Sequence, residues 1–116
     1  MAGDATLQRL RAICLALPET TETETWGHPN FRVANKIFCA YESYQGELSA
    51  CFKVGKQMPG VYLQDPRFYM TPYVGRHGWV SLKVNAGAIN WEEIEDLAHT
   101  SYRLIAPAKL RKAHGL

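Results

Sequence analysis

The sequence has no long apolar run. Nothing in its 116 residues approaches the roughly 20 consecutive apolar residues that a membrane-crossing helix needs, so no membrane partner is expected. The opening stretch MAGDATLQRL carries an acid and no apolar core of the kind a secretory leader has, so a cytoplasmic protein is expected. Internal repeats, low-complexity stretches and long linkers are missing too. At 116 residues, one domain over 1–116 with one core is expected. Cysteine is scarce: Cys14, Cys39 and Cys51 are odd in number and lack CxxC spacing, which argues against a disulfide framework or a zinc site. Three buried or half-buried thiols are expected, with Cys39 and Cys51 as a minor redox candidate across a hairpin. Excess charge is small, 13 Lys+Arg against 11 Asp+Glu for a net charge of +2, with a pI of about 8.5. Dedicated nucleic-acid-binding domains usually exceed a pI of about 9. This balance permits an anionic partner without demanding one. No GxSxG, P-loop, GxGxxG or HExxH motif occurs, and His28, His77, His99 and His114 lack metal-ligand spacing. No nucleophile has an evident base beside it. A non-enzymatic protein without cofactor or metal is therefore expected.

The chain does contain well-patterned elements. Residues 4–17 read as an amphipathic helix, with Leu7, Leu10, Cys14 and Leu17 as its buried stripe, Asp4 or Thr6 as its cap and Pro18 as its stop. TTETETW reads as a solvent-facing strand. WGHPN reads as a bend, and FRV with KIFCAYE as a tight hairpin about Ala34-Asn35. Ser43 to Gly46 reads as a second turn. ELSACFK alternates, with Leu48, Ala50 and Phe52 on one face and Glu47, Ser49 and Lys53 on the other. Residues 54–66 are punctuated by Gly55, Pro59, Gly60 and Pro66, leaving room for a short helical turn at Val61 to Gln64. RFYM reads as a strand, PYVGRHG as a loop, and WVSLKV as a strand with Val80, Leu82 and Val84 inward. Asn90 with Glu93 three residues on reads as a capping-box start to a last helix, whose inner stripe is Ile94, Leu97, Ala98, Ser101 and Ile105. Ala108 to Lys112 reads as a short basic tail helix docked by Leu110. Strands joined by short turns imply an antiparallel sheet, and the amphipathic helices need one apolar surface to cover. The expected fold is a two-layer α+β domain, an antiparallel sheet of about five strands covered by N- and C-terminal helices.

Two segments stand out. WGHPNFRV (Trp26 to Val33) and PYVGRHGW (Pro72 to Trp79) each pack tryptophan, histidine, arginine, glycine and proline into eight residues. Glycine and proline fix bends, while aromatic and basic groups beside them can meet a ligand. With these residues the chain resembles the MmcQ/YjbR family of small bacterial proteins. WGHPNF, the following KIFCA strand, DPRFYMTPYVGRHGWV and the closing SYRLIAPAKL carry the resemblance, which runs from about Leu7 to Leu110. It departs at VGKQMPGVYLQ, where many relatives have a clear helix. The resemblance implies a helix–three strands–helix–two strands–helix fold similar to secretion chaperones, and a "double wing" DNA-binding role.

Candidate binding residues follow from residue type. Trp26 and Trp79 could stack on a base or another flat ligand, or pack at the core rim. His28, Arg76 and His77 could hold an anion, or fix loop shape. Lys36, Lys53, Lys56, Arg67, Arg76 and Lys83 lie on or beside strands. On an uncovered sheet face they would form a basic patch, partly neutralised by Glu22, Glu24 and Glu47. Three readings remain open. The first is a DNA-binding domain using a basic concave sheet face. The second is a protein-interaction module with a flat apolar face, as a monomer or weak dimer. The third is a pocket for a small anionic ligand lined by Trp26, His28, Tyr73 and Arg76.

Overall fold

The computed structural model describes residues 2–84 and 88–116, with side chains from Ala5 onward. In chain order the elements are α1 (Ala2–Leu15), β1 (Thr20–Thr25), β2 (His28–Val33), β3 (Lys36–Tyr44), β4 (Glu47–Lys53), α2 (Pro59–Tyr62), β5 (Phe68–Met70), β6 (Trp79–Lys83), α3 (Trp91–Ile105) and α4 (Ala108–Ala113). A 3-10 turn, Gly75–His77, leads into β6. The six strands form one sheet in the order β1-β2-β3-β4-β6-β5, and every neighbouring pair is antiparallel. The two-layer α+β architecture is thus as expected, with six strands rather than about five.

Two-residue turns of one kind explain the first four strands. Trp26-Gly27, Ala34-Asn35 and Gln45-Gly46 all have positive φ at both residues. That is the signature of the mirror-image turn whose twist matches paired strands. The expected bend over WGHPN is accordingly shorter: only Trp26-Gly27 turn, and His28, Pro29 and Asn30 are already in β2. Pro29 lies opposite Glu24, one pair beyond the turn-closing Thr25–His28 pair. Pairs alternate between hydrogen-bonded and not, so a missing N–H costs the β1–β2 ladder nothing there. Ser43 and Tyr44, expected in a turn, extend β3. The crossover holds one helical turn at Pro59–Tyr62, slightly earlier than Val61 to Gln64.

Register divides the sheet into two faces. Phe31, Cys39, Tyr41, Ala50, Phe52, Val80, Leu82 and Phe68 share the face under the helices and are all buried. From the helices come Leu10, Cys14, Ile94, Leu97, Ala98 and Tyr102. Tyr102 was not among the expected stripe residues. It is fully buried, meets Phe38 edge-on at 5.5 Å and donates its hydroxyl to the Pro18 carbonyl at 2.7 Å. Ser101 joins α3 to two strands, donating to Phe38 O at 2.5 Å and accepting from Lys53 N–H at 3.0 Å.

Several local expectations are corrected. Helix α1 starts at Ala2, so Thr6 lies inside it rather than capping it, and the Asp4 side chain lies outside the described residues. Asn90 does cap α3, accepting from Glu93 N–H at 3.2 Å. The Glu93 carboxylate, however, takes Arg67, at 2.8 and 3.1 Å. Cys39 pairs with Phe52 and Cys51 with Ala40, which puts the two thiols on opposite faces and removes the redox-pair candidate. All three cysteines are free and buried. Glu22 is on the helix side, where Arg11 holds it at 2.5 and 2.9 Å. Among the described residues, no helix is long and apolar enough to cross a membrane.

Candidate functional site

The sheet face away from the helices carries the unusual chemistry. Its register positions include His28, Asn30, Arg32, Ala40, Glu42, Tyr44, Ser49, Cys51, Ser81 and Trp79. Part of this face is closed by its own polar side chains. Thr71 and Ser81 hydroxyls meet at 2.9 Å, Ser81 and the Cys51 thiol at 3.2 Å, and the thiol donates to Glu42 Oε1 at 3.6 Å. Tyr69 hydrogen-bonds Ser49 at 2.9 Å and stacks on Tyr44 at 6.3 Å. Ser49, which shares its face with Glu47 and Lys53 as expected, is fully buried there. Burial, and then the charge of Glu42, push the Cys51 thiol far above its ordinary range, so it stays protonated.

The rest of this face is a cleft of about 540 Å³. That is within the usual size of small-molecule sites, roughly 300–1,000 Å³. Trp26 and His28 line it from the β1–β2 hairpin, Glu42 and Tyr44 from β3, Cys51 from β4, Trp79 from β6, and Thr71 to Val74 from the loop before the 3-10 turn. Trp26 and Tyr73 are each 93% exposed. Both hold left-handed backbone, at φ 56° and 69°. Bulky L-residues rarely do so, because Cβ crowds the following carbonyl. An exposed aromatic ring in strained backbone contributes little to folding. Both of these rings border the cleft.

Glycines set the loop that forms one wall. Gly78 has φ 93°, and a Cβ there would lie 2.4 Å from the Gly55 carbonyl carbon. The approach permits the 2.7 Å hydrogen bond from Val54 N–H to Gly78 O, which ties the loop to the end of β4.

The candidate residues separate into two groups. Trp26, His28, Tyr73 and Trp79 line one cleft. Arg76 and His77 do not line it: both are exposed on the 3-10 turn, where Arg76 Nε donates to His77 Nε2 at 3.4 Å. Lys53 and Lys83 hold open-face positions opposite Trp79 and Ser49 but are not lining residues. Lys36 pairs with Val33, so its register belongs to the helix side. Arg67 is taken by Asp65 and Glu93, which together hold its guanidinium charged. Asp65 in turn is held below its ordinary range by that arginine. Arg32 is spent on the fold, donating to Thr23 Oγ1 at 3.0 Å and Asn35 O at 3.2 Å. Asn30 is likewise buried, accepting from the Thr23 hydroxyl.

Among the lining residues not expected from the sequence, Glu42 and Tyr44 matter most. They follow Ala40 at alternate positions of one strand, so their common face was legible. What hid them was the strand order, which brings β3 beside the hairpin turn and the 71–74 loop. Among the described residues, no cluster of three or more His, Cys, Asp or Glu could hold a metal ion.

Comparison with known proteins gives a family and a fold. The YjbR family model matches residues 15–104. A crystal structure of Deinococcus radiodurans protein DR2400, from the domain family DUF419, superposes with a TM-score of 0.76 at 21% identity. It covers 95% of this chain and 88% of that one, a likeness of fold. No curated protein matches the chain.

Proposed function

The chain belongs to the YjbR family, and from that premise we propose that it is a binding domain that takes a small organic molecule in the cleft of its open sheet face. The observation that carries this reading is the cleft itself, about 540 Å³ and bordered by two nearly fully exposed aromatic rings in strained backbone. Aromatic side chains offer a large rigid contact area at low entropic cost. The half-buried Glu42 and His28 supply the few polar groups that orient a bound molecule.

The family's DNA-binding reading draws on Trp26, Trp79, Arg76, Lys53 and Lys83. The charge pattern gives it less support. Arg67 and Arg32 are held by the protein's own groups, and Glu42 and Glu47 share the open face with Lys53 and Lys83.

A saturation-transfer screen of neutral and charged fragments, run on the wild type and Trp26→Ala, tests the reading. Duplex binding is followed in parallel by fluorescence anisotropy at about 50 and 200 mM salt, the range in which phosphate contacts weaken steeply. Fragment hits that vanish in Trp26→Ala, without salt-sensitive duplex binding, are expected. Duplex binding that collapses with salt and weakens in Arg76→Ala, with no fragment hits, would replace it with the DNA reading.

A further inference from the structure

We propose that the ligand of this cleft is an organic ammonium cation with an apolar body. The inference rests on the reading of the cleft as a small-molecule site and adds the sign of the ligand's charge.

Glu42 is the carboxylate of the cleft, and no lysine or arginine lines it among the described residues. Glu42 is half-buried, and no Lys, Arg or His forms an ion pair with it among the described residues. Its hydrogen-bond partner is the Cys51 thiol at 3.6 Å, a weak donor. A carboxylate partly withdrawn from water gains most from a cation or strong donors. Arg11, Arg32 and Arg67 are engaged elsewhere, so with no arginine or lysine among the described lining residues the charge of Glu42 is left to whatever enters.

The walls make the same demand. Trp26, Tyr44, Tyr73 and Trp79 line the same cleft as Glu42. Aromatic faces carry negative quadrupole potential and attract ammonium groups, most strongly where water is displaced. Rings and a carboxylate together form a field that favours cations and repels anions. Arg76 and His77, the groups expected to hold an anion, lie outside the cleft. The remaining titratable nitrogen is His28, at the hairpin end of the cleft. A molecule larger than a bare ammonium is implied, because the space is about 540 Å³ and much of its lining is apolar.

Three probes of matched size and different charge test this: phenethylammonium, phenethyl alcohol and phenylacetate. Each is titrated by NMR at pH 8 into the wild type, Glu42→Gln and Trp26→Asn. The ammonium is expected to bind roughly tenfold more tightly than the alcohol, with phenylacetate weakest. In Glu42→Gln the ammonium-to-alcohol ratio is expected to fall towards unity. Trp26→Asn, on an exposed turn that tolerates asparagine, is expected to weaken the ammonium and so covers the case of Glu42→Gln failing to fold. Equal binding of all three, or preference for phenylacetate, overturns the cation proposal and leaves the small-molecule reading intact. Failure of all three to bind at millimolar concentration overturns both.

Discussion

At the scale of single residues, Trp26 shows most sharply how this protein departs from a sequence made only to fold. The mirror-image two-residue turn favours Asn-Gly or Asp-Gly, because both residues take positive φ. Here tryptophan holds the first place at φ 56°, 93% exposed. A left-handed L-residue costs about 1–2 kcal/mol, and asparagine relieves much of that by bonding locally. Trp26→Asn is therefore expected to raise stability by about 1 kcal/mol in urea unfolding while lowering affinity at the cleft. Unchanged or lower stability would mean the indole contributes to the fold. The residue was noticed in the sequence for its type. Its exposure and strain were not legible there, because WGHPN looks like one long bend. Only pairing across β1 and β2 confines the turn to Trp26-Gly27.

At the scale of elements, what could be read in advance was what is local. Helix α3 announces itself through Asn90 and a stripe from Ile94 to Ser101, all within one segment. Hairpins announce themselves through Asn35 and Gly46. The cleft is not local: it needs β2, β3, β4, β6 and the 71–74 loop together, and the order β4-β6-β5 that assembles them leaves no mark on any one segment. The closing of Ser49 beneath Tyr69 escaped for the same reason. The loop wall depends on Gly78, whose missing Cβ allows backbone to approach backbone. Gly78→Ala combines positive φ with a 2.4 Å clash against Gly55. It is expected to destabilise by more than about 1 kcal/mol, read as a lower melting temperature, and to weaken fragment binding with it. A neutral effect on both would show that the loop is not held by this approach.

For the whole molecule, the relevant quantity is how buried titratable groups are distributed. Cys39 and Cys51 are pushed up chiefly by burial, Cys39 further by Cys14 and Cys51 further by Glu42. Tyr69 and Tyr102 are also raised by burial. Each of these groups holds its proton more tightly folded than unfolded. Their contribution is complete below the ordinary thiol range near pH 8.5 and is lost as pH rises above it. Stability in urea is therefore expected to decline from about pH 8.5 upward. Cys39 and Cys51 are expected to resist iodoacetamide at pH 8 until the protein unfolds. Rapid labelling of either in the native state would contradict the account. Net charge is only +2, and the structure adds that arginines such as Arg11, Arg32 and Arg67 serve internal bonds. Together these leave the open face aromatic and mixed in charge rather than basic.

The three tryptophans offer the most direct measurement. Trp26 and Trp79 line the cleft, whereas Trp91 begins α3 with Arg9 stacked over it at 4.8 Å. Indole N–H signals are followed by NMR during titration with phenethylammonium. The account predicts that the Trp26 and Trp79 signals move together and saturate while Trp91 stays still. Uniform movement of all three, or movement of none, would contradict it.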